Sequence, residues 1–334
     1  MKTKYLLLIA LIITISFSSC EKIIEFNGGD VKTKLVLNGL LMPDSLVKVK
    51  ITESRFFLDD DGAFKEINNA NVELWKDNNK IEKLSNIGEG YYIGSYIPKT
   101  GDNIRITASC DGFDQIECST EIAIPTSIIS ADTINYHEDI SYNGYYEDGL
   151  WLIDSTSYNT YINFEMNITF KDPKDIPNYY SLNVYLKCNY SDGESFSLPF
   201  MYNSDDLVFQ KRNNMDFLDD DNNNYLQLTI FNDELFDGKE YKLKIKTDNK
   251  YIGIRNNQSD PETENPEFIG MEISVELQSL SQAYYMYLKT HDAYLNMDNL
   301  MEYFAEPIQI YSNVKGGIGI LGSYSKSVFT IPLE

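Results

Sequence analysis

The chain has 334 residues, with 51 Asp and Glu against 28 Lys and Arg, a formal net charge of −23, and 25 Tyr and 17 Phe. A surface this acidic repels nucleic acid and anionic headgroups, which excludes nucleic-acid partners and membrane attachment through a basic patch. The length suits two ordinary domains that fold without a metal or disulfide, and scarce Ala beside abundant Tyr, Phe, Ile, Val, Asn, Ser and Thr favours strands over helices.

In chain order, Lys2 and Lys4 precede YLLLIALIITI, Tyr5 to Ile15, an apolar run broken only by Thr14. It is too short to span a bilayer and fits the apolar region of a secretory signal. Ser18 and Ser19 then lead into Cys20, as in a bacterial lipoprotein signal, with Phe17 where Leu is the commoner residue. Residues 1–19 are therefore expected to be a signal peptide. Cys20 is expected to be the lipidation site, carrying fatty-acyl (palmitate-type) chains that together anchor durably where one chain would not. Removing residues 1–19, which hold Lys2 and Lys4 and no acid, takes the formal charge from −23 to −25. Residues 20–32, with Gly28 and Gly29, form a polar tether.

From Lys34 short alternating segments follow. They are Leu35 to Gly39, Val47 to Ile51, Val72 and Leu74, Tyr91 to Ile97, Ile104 to Cys110 and Gln115 to Ile124. Turn clusters separate them, among them Pro43-Asp44, Asp77 to Asn79, Gly88 to Gly90, Gly101-Asp102 and Asp111-Gly112. This punctuation predicts an all-β sandwich over 33–125, similar to immunoglobulin-like or transthyretin-like modules. Cys110 and Cys118 share the parity of inward residues on neighbouring strands, so a disulfide forms only if the register sets them opposite. Two buried thiols are the other reading. Cys188 shares the parity of Leu182, Val184 and Leu186 and reads as core.

A second β-rich domain is expected over 126–334. Asp132 to Tyr136 opens it, a tyrosine-rich loop covers 141–160, and Ile162, Phe164, Met166, Ile168 and Phe170 alternate with polar residues. Further strands are expected around 179–190, at Leu226, Leu228 and Ile230, and at Tyr241, Leu243 and Ile245, with a loop over 252–268. Leu277, Leu280, Tyr284, Tyr287, Leu288, His291 and Leu295 recur at helical spacing. They predict one amphipathic helix near 280–295, with Ser279 and Gln282 as a capping box.

Motifs of chemistry are few. GIGILG, Gly317 to Gly322, has dinucleotide-loop spacing but lacks the following helix and acid, and reads as a closely packed final strand. Asp59 to Asp61 and Asp219 to Asp221 read as solvated hairpin tips, since Ile230 stands where a calcium loop needs glutamate. His137 and His291 form no zinc motif. No nucleophile elbow or phosphate loop occurs, so the sequence points to no cofactor, no metal, no catalytic residue and no enzyme. Asp44-Ser45-Leu46, Asp132-Thr133-Ile134 and Asp154-Ser155-Thr156, the last with Thr in the apolar place, resemble Asp-Ser/Thr-apolar O-glycosylation sites at a frequency little above chance.

CEKIIEF, KLVLNGLLMPDS, SRFFLDDDGAFKEINNANVELW, GYYIGSYIPKTGDNIRITASCDGF and EYFAEPIQIYSNVKGGIGILGSYS together resemble the Bacteroidota lipoprotein family catalogued as domain of unknown function 4249. Phe304 to Pro307 and Asn313 to Gly319 carry the match at the end. The resemblance implies a lipid-anchored outer-membrane protein whose genes neighbour TonB-dependent receptors, so a receptor of that class is the expected partner. The expected role is a non-enzymatic binding or accessory module, with Tyr142 to Trp151 as contact surface. A structural or adhesive surface module and an envelope or polysaccharide hydrolase are the rivals, and the last would need two converging carboxylates or a metal.

Overall fold

The computed structural model describes residues 32–55, 64–191, 193–209, 229–247, 253–257, 268–295 and 308–333. Cys20 with its signal and most of the tether, Asp59 to Asp61, Asp219 to Asp221, Leu226, Leu228 and Phe304 to Pro307 lie outside the described residues.

The protein is all-β with a single helix among the described residues. The first part of the chain contributes β1 (Leu35–Leu41), β2 (Lys48–Glu53), β3 (Asn71–Lys76), β4 (Asn79–Lys83), β5 (Ser85–Gly88), β6 (Tyr91–Ile93), β7 (Asn103–Ser109) and β8 (Ile116–Glu121). The second contributes β9 (Ile128–Glu147), β10 (Leu150–Lys171), β11 (Tyr179–Tyr190), β12 (Ser195–Pro199), β13 (Tyr202–Asn203), β14 (Ile230–Asn232), β15 (Glu240–Thr247), β16 (Gly253–Asn257), β17 (Phe268–Leu280), helix α1 (Gln282–Leu295) and β18 (Ile318–Leu333).

One long sheet, ordered β12-β11-β17-β18-β1-β2-β6-β5, serves both parts of the molecule. The sheet β4-β3-β7-β8 shares one core with its β1-β2 end, and the sheet β13-β15-β10-β16, with β9 on β10, shares another with its β11-β17 end. Alternation explains the first core: Leu35, Leu37, Val49, Ile51, Val72, Leu74, Ile104, Ile106 and Ile116 are all buried on the inward parity. The second core centres on Phe170, whose ring lies 5.6 Å from Tyr180, 5.6 Å from Phe236 and 6.2 Å from Phe231. Such aromatic pairs add about 0.5–1.5 kcal/mol each beyond their burial.

Strand β18 joins the halves. Ile318 to Ser323 pair in parallel with Val36 to Leu41, and Tyr324 to Leu333 pair with β17. Val314 and Leu321 belong to the first core, so a cut at Pro125 leaves the last strand serving both sandwiches. Gly319 sits at φ +118, and a Cβ there would collide with the Leu37 carbonyl oxygen. GIGILG is thus the tightly packed strand expected from the sequence.

Serine hydroxyls close the seam where the chain crosses between sandwiches. Ser323 Oγ donates to the Glu121 carbonyl, Ser279 Oγ accepts from the Thr126 N–H at 3.0 Å, and Ser327 Oγ accepts from the Ile128 N–H at 3.2 Å. The linker has no ladder at Thr126, and the hydroxyl replaces it. This use of Ser279 corrects the predicted helix cap. Leu277 and Leu280 lie in β17, and α1 starts after Ser281, whose Oγ accepts from the Tyr284 N–H.

Candidate functional site

The hairpin of β9 and β10 replaces the loop expected at 141–160. Asp148 and Gly149 both take positive φ (50° and 79°) between the paired residues Glu147 and Leu150. That is the two-residue turn whose twist matches a hairpin, and Asp-Gly is a favoured pair for it.

The hairpin has two parts. Near its base, Ile162, Phe164, Met166, Ile168 and Phe170 of β10 point into the second core, while β15 and β16 pair along the other edge. Beyond, the register slips between Asp154 and Tyr158 of β10 against the adjacent Asn143 and Tyr142 of β9. β10 therefore holds three extra residues there, and such bulges bend a strand and mark a joint.

The tip, 143–154, is exposed and apolar. Tyr146 and Trp151 are paired across the strands with rings 4.9 Å apart, edge to face. Tyr145 lies opposite Leu152 on the other face. Tyr146 is 75 % exposed, Trp151 55 % and Tyr145 54 %. Gly144 leaves room for the indole, since a Cβ there would lie 2.6 Å from the Trp151 ring carbons.

At the base, a cleft of about 390 Å³ is lined by Asn135, His137, Asn163, Phe164, Glu165, Lys246 and Thr247. A second bulge shapes it, with Asn135 at φ 53° where β9 holds one residue more than β10. His137 is exposed; its Nδ1 lies 3.1 Å from the Asn135 carbonyl and its Nε2 3.6 Å from Asp139. Glu165 is the single carboxylate in the lining, and the Lys244 ammonium at 2.7 Å holds it below its usual pKa.

Asp172, Asp233 and Asp237 bring carboxylate oxygens within 4.8 Å of one another, the one such group of three potential metal ligands among the described residues. Each is engaged by protein donors: Asp172 by the Tyr180 hydroxyl and the Gly238 N–H, Asp233 by the Asn178 N–H, Asp237 by the Asp175 N–H. They clamp the turns at 172–178 and 233–238 together. Burial raises the Asp172 pKa, partly offset by its two donors, and its acidic neighbours add to the rise.

Cys110 and Cys118 are not bonded. The β7–β8 register sets Cys118 opposite Ile106, four residues from Cys110 and so about 13 Å away along the strand, far beyond disulfide reach. Burial raises the Cys118 thiol to about 12, and the Cys110 Sγ donates to Asn69 Oδ1 at 3.4 Å. Cys188 is a buried free thiol of the second core. His291 stacks on Tyr287 at 5.6 Å on α1, whereas His137 stands on β9, and neither belongs to the acidic triad.

A family model described as "Domain of unknown function (DUF4249)" matches residues 21–330. The chain belongs to the DUF4249 family. No curated protein matches it. The DUF4249 match takes in both sandwiches, the hairpin and nearly all of β18, so the arm lies within the family's own span.

Proposed function

We propose that this DUF4249 protein is a non-enzymatic binding or accessory lipoprotein of the outer membrane. It is held by acyl chains on Cys20 and works beside a TonB-dependent receptor. The observation that carries the binding role is the exposed tip of the β9–β10 hairpin. Tyr145, Tyr146, Leu150, Trp151 and Ile153 all face solvent there. Tyr and Trp are the residues that dominate interface energetics. A pair of strands standing alone in water is marginal at best, so apolar area left exposed there contributes little to folding.

The lipid anchor is supported by the short apolar run and by the place of Cys20 behind Ser18 and Ser19. The Cys20→Ala protein is expected to leave the envelope fraction, and wild-type peptides from the mature terminus are expected to carry acyl mass. Retention of Cys20→Ala in envelopes would remove the anchor. Affinity purification of the tagged chain from detergent-solubilised outer membrane at native expression is expected to bring a TonB-dependent receptor with it. Its recovery with no receptor would favour a free-standing adhesive module instead.

A further inference from the structure

The arm's tip differs from an ordinary sheet in being apolar on both faces. Cross-strand partners share a face, so Tyr146, Trp151 and Ile153 line one side and Tyr145, Leu152 and Leu150 the other. Ile153 and Leu150 are each 67 % exposed, so neither side is covered by this chain. A surface that docks face-on needs one apolar face; two require an occupant that closes around both.

Charge identifies the occupant. No Lys or Arg occurs from Ile106 to Phe170. Glu147 and Asp148 stand at the extreme end of the hairpin, with Glu138 and Asp139 on β9 below the tip. Insertion into a bilayer would carry the two end carboxylates deepest, at a cost of a few kcal/mol or more for each charge. An anionic lipid surface would repel them before contact. A second copy of a chain with net charge −23 would set acid against acid. We propose that the tip inserts end-on into a cleft of a partner protein, apolar on both walls and lined by Lys or Arg at its floor, where Glu147 and Asp148 pair. This rests on the reading of the protein as a binding module and adds the partner's chemistry and the mode of entry.

The test places the photo-crosslinker benzoylphenylalanine at Tyr145 and, separately, at Tyr146, in the full-length protein expressed in its own envelope. These neighbours lie on opposite faces. Both positions are expected to label the same protein, and the adducted segments are expected to include Lys or Arg. Glu147→Lys with Asp148→Asn, which keeps a residue suited to the positive φ of the turn, is expected to cut both yields by about tenfold or more while leaving the melting temperature unchanged. Labelling from one face only, adducts to lipid or to a second copy, absence of adducts, or yields indifferent to charge reversal would each overturn the proposal. Trp151 fluorescence, in a Trp75→Phe background, is expected not to shift with vesicles of phosphatidylethanolamine and phosphatidylglycerol; a blue shift would also overturn it. A receptor that still co-purifies when the tip labels nothing defeats the insertion alone, whereas loss of both defeats the accessory role as well.

Discussion

The two ends of the β9–β10 hairpin use similar residues under opposite conditions. At the base, Phe164, Met166, Ile168 and Phe170 alternate with polar positions, and the alternate side chains vanish into the second core. At the tip, Tyr145, Tyr146, Trp151 and Ile153 stand in water. Burying a large apolar side chain stabilises by about 1.5–3 kcal/mol, so the base helps to fold the molecule. The tip gains only cross-strand contacts such as the Tyr146–Trp151 edge contact, and its apolar area is left for something outside the chain.

Substitutions at the two ends should separate these roles. Phe170→Ala at the base removes a ring that touches four other aromatics and is expected to cost about 3–5 kcal/mol in urea unfolding. A cost below that of an ordinary surface change would mean the base is not part of the core. Ser323→Ala at the seam removes the hydroxyl that caps Glu121 and is expected to cost about 1–2 kcal/mol. Its loss should raise hydrogen exchange at the linker between the sandwiches and leave the arm's tip unaffected.

Acid sharpens the contrast between the halves of the body. Burial pushes the Asp102 carboxyl up, but Lys76 at 2.7 Å, the Tyr96 hydroxyl and the Lys99 N–H outweigh it and hold it below its ordinary 3.8. Its contribution is present above the ordinary value and is lost as pH falls through the folded one. Asp172 has the opposite sign: raised by burial, its contribution is present below the ordinary value and is lost as pH rises through the folded one. Asp102→Asn is expected to flatten the acid-side loss of stability, and Asp172→Asn the loss on the rising side. The same slope from both variants, in unfolding midpoints measured against pH, would contradict these environments.

These sites also show what sequence can express. The run from Ile162 to Phe170 was legible because one face is wet and one dry, which writes a period of two into the residues. The tip was not legible as strand, because apolar residues on both faces erase that period. The local sign was Asp148-Gly149, a hairpin turn pair inside a stretch that otherwise reads as a loop. Helix α1 was legible from its spacing, but Ser281 rather than Ser279 caps it, since both serines precede apolar sequence and only the strand pairing of β17 decides between them. The parallel pairing of β18 with β1 joins opposite ends of the chain, and the Asp172, Asp233 and Asp237 clamp joins two turns, so neither has a local signature.

The most direct measurement takes Tyr146→Ala with Trp151→Ala and reads unfolding free energy and partner co-purification on the same preparation. Stability is expected to fall by about 1.5 kcal/mol or less, the worth of the lost cross-strand pair, while the co-purified partner falls by about tenfold or more. A core-like loss of stability, or a partner retained at wild-type level, would contradict the arm's assignment as a binding element.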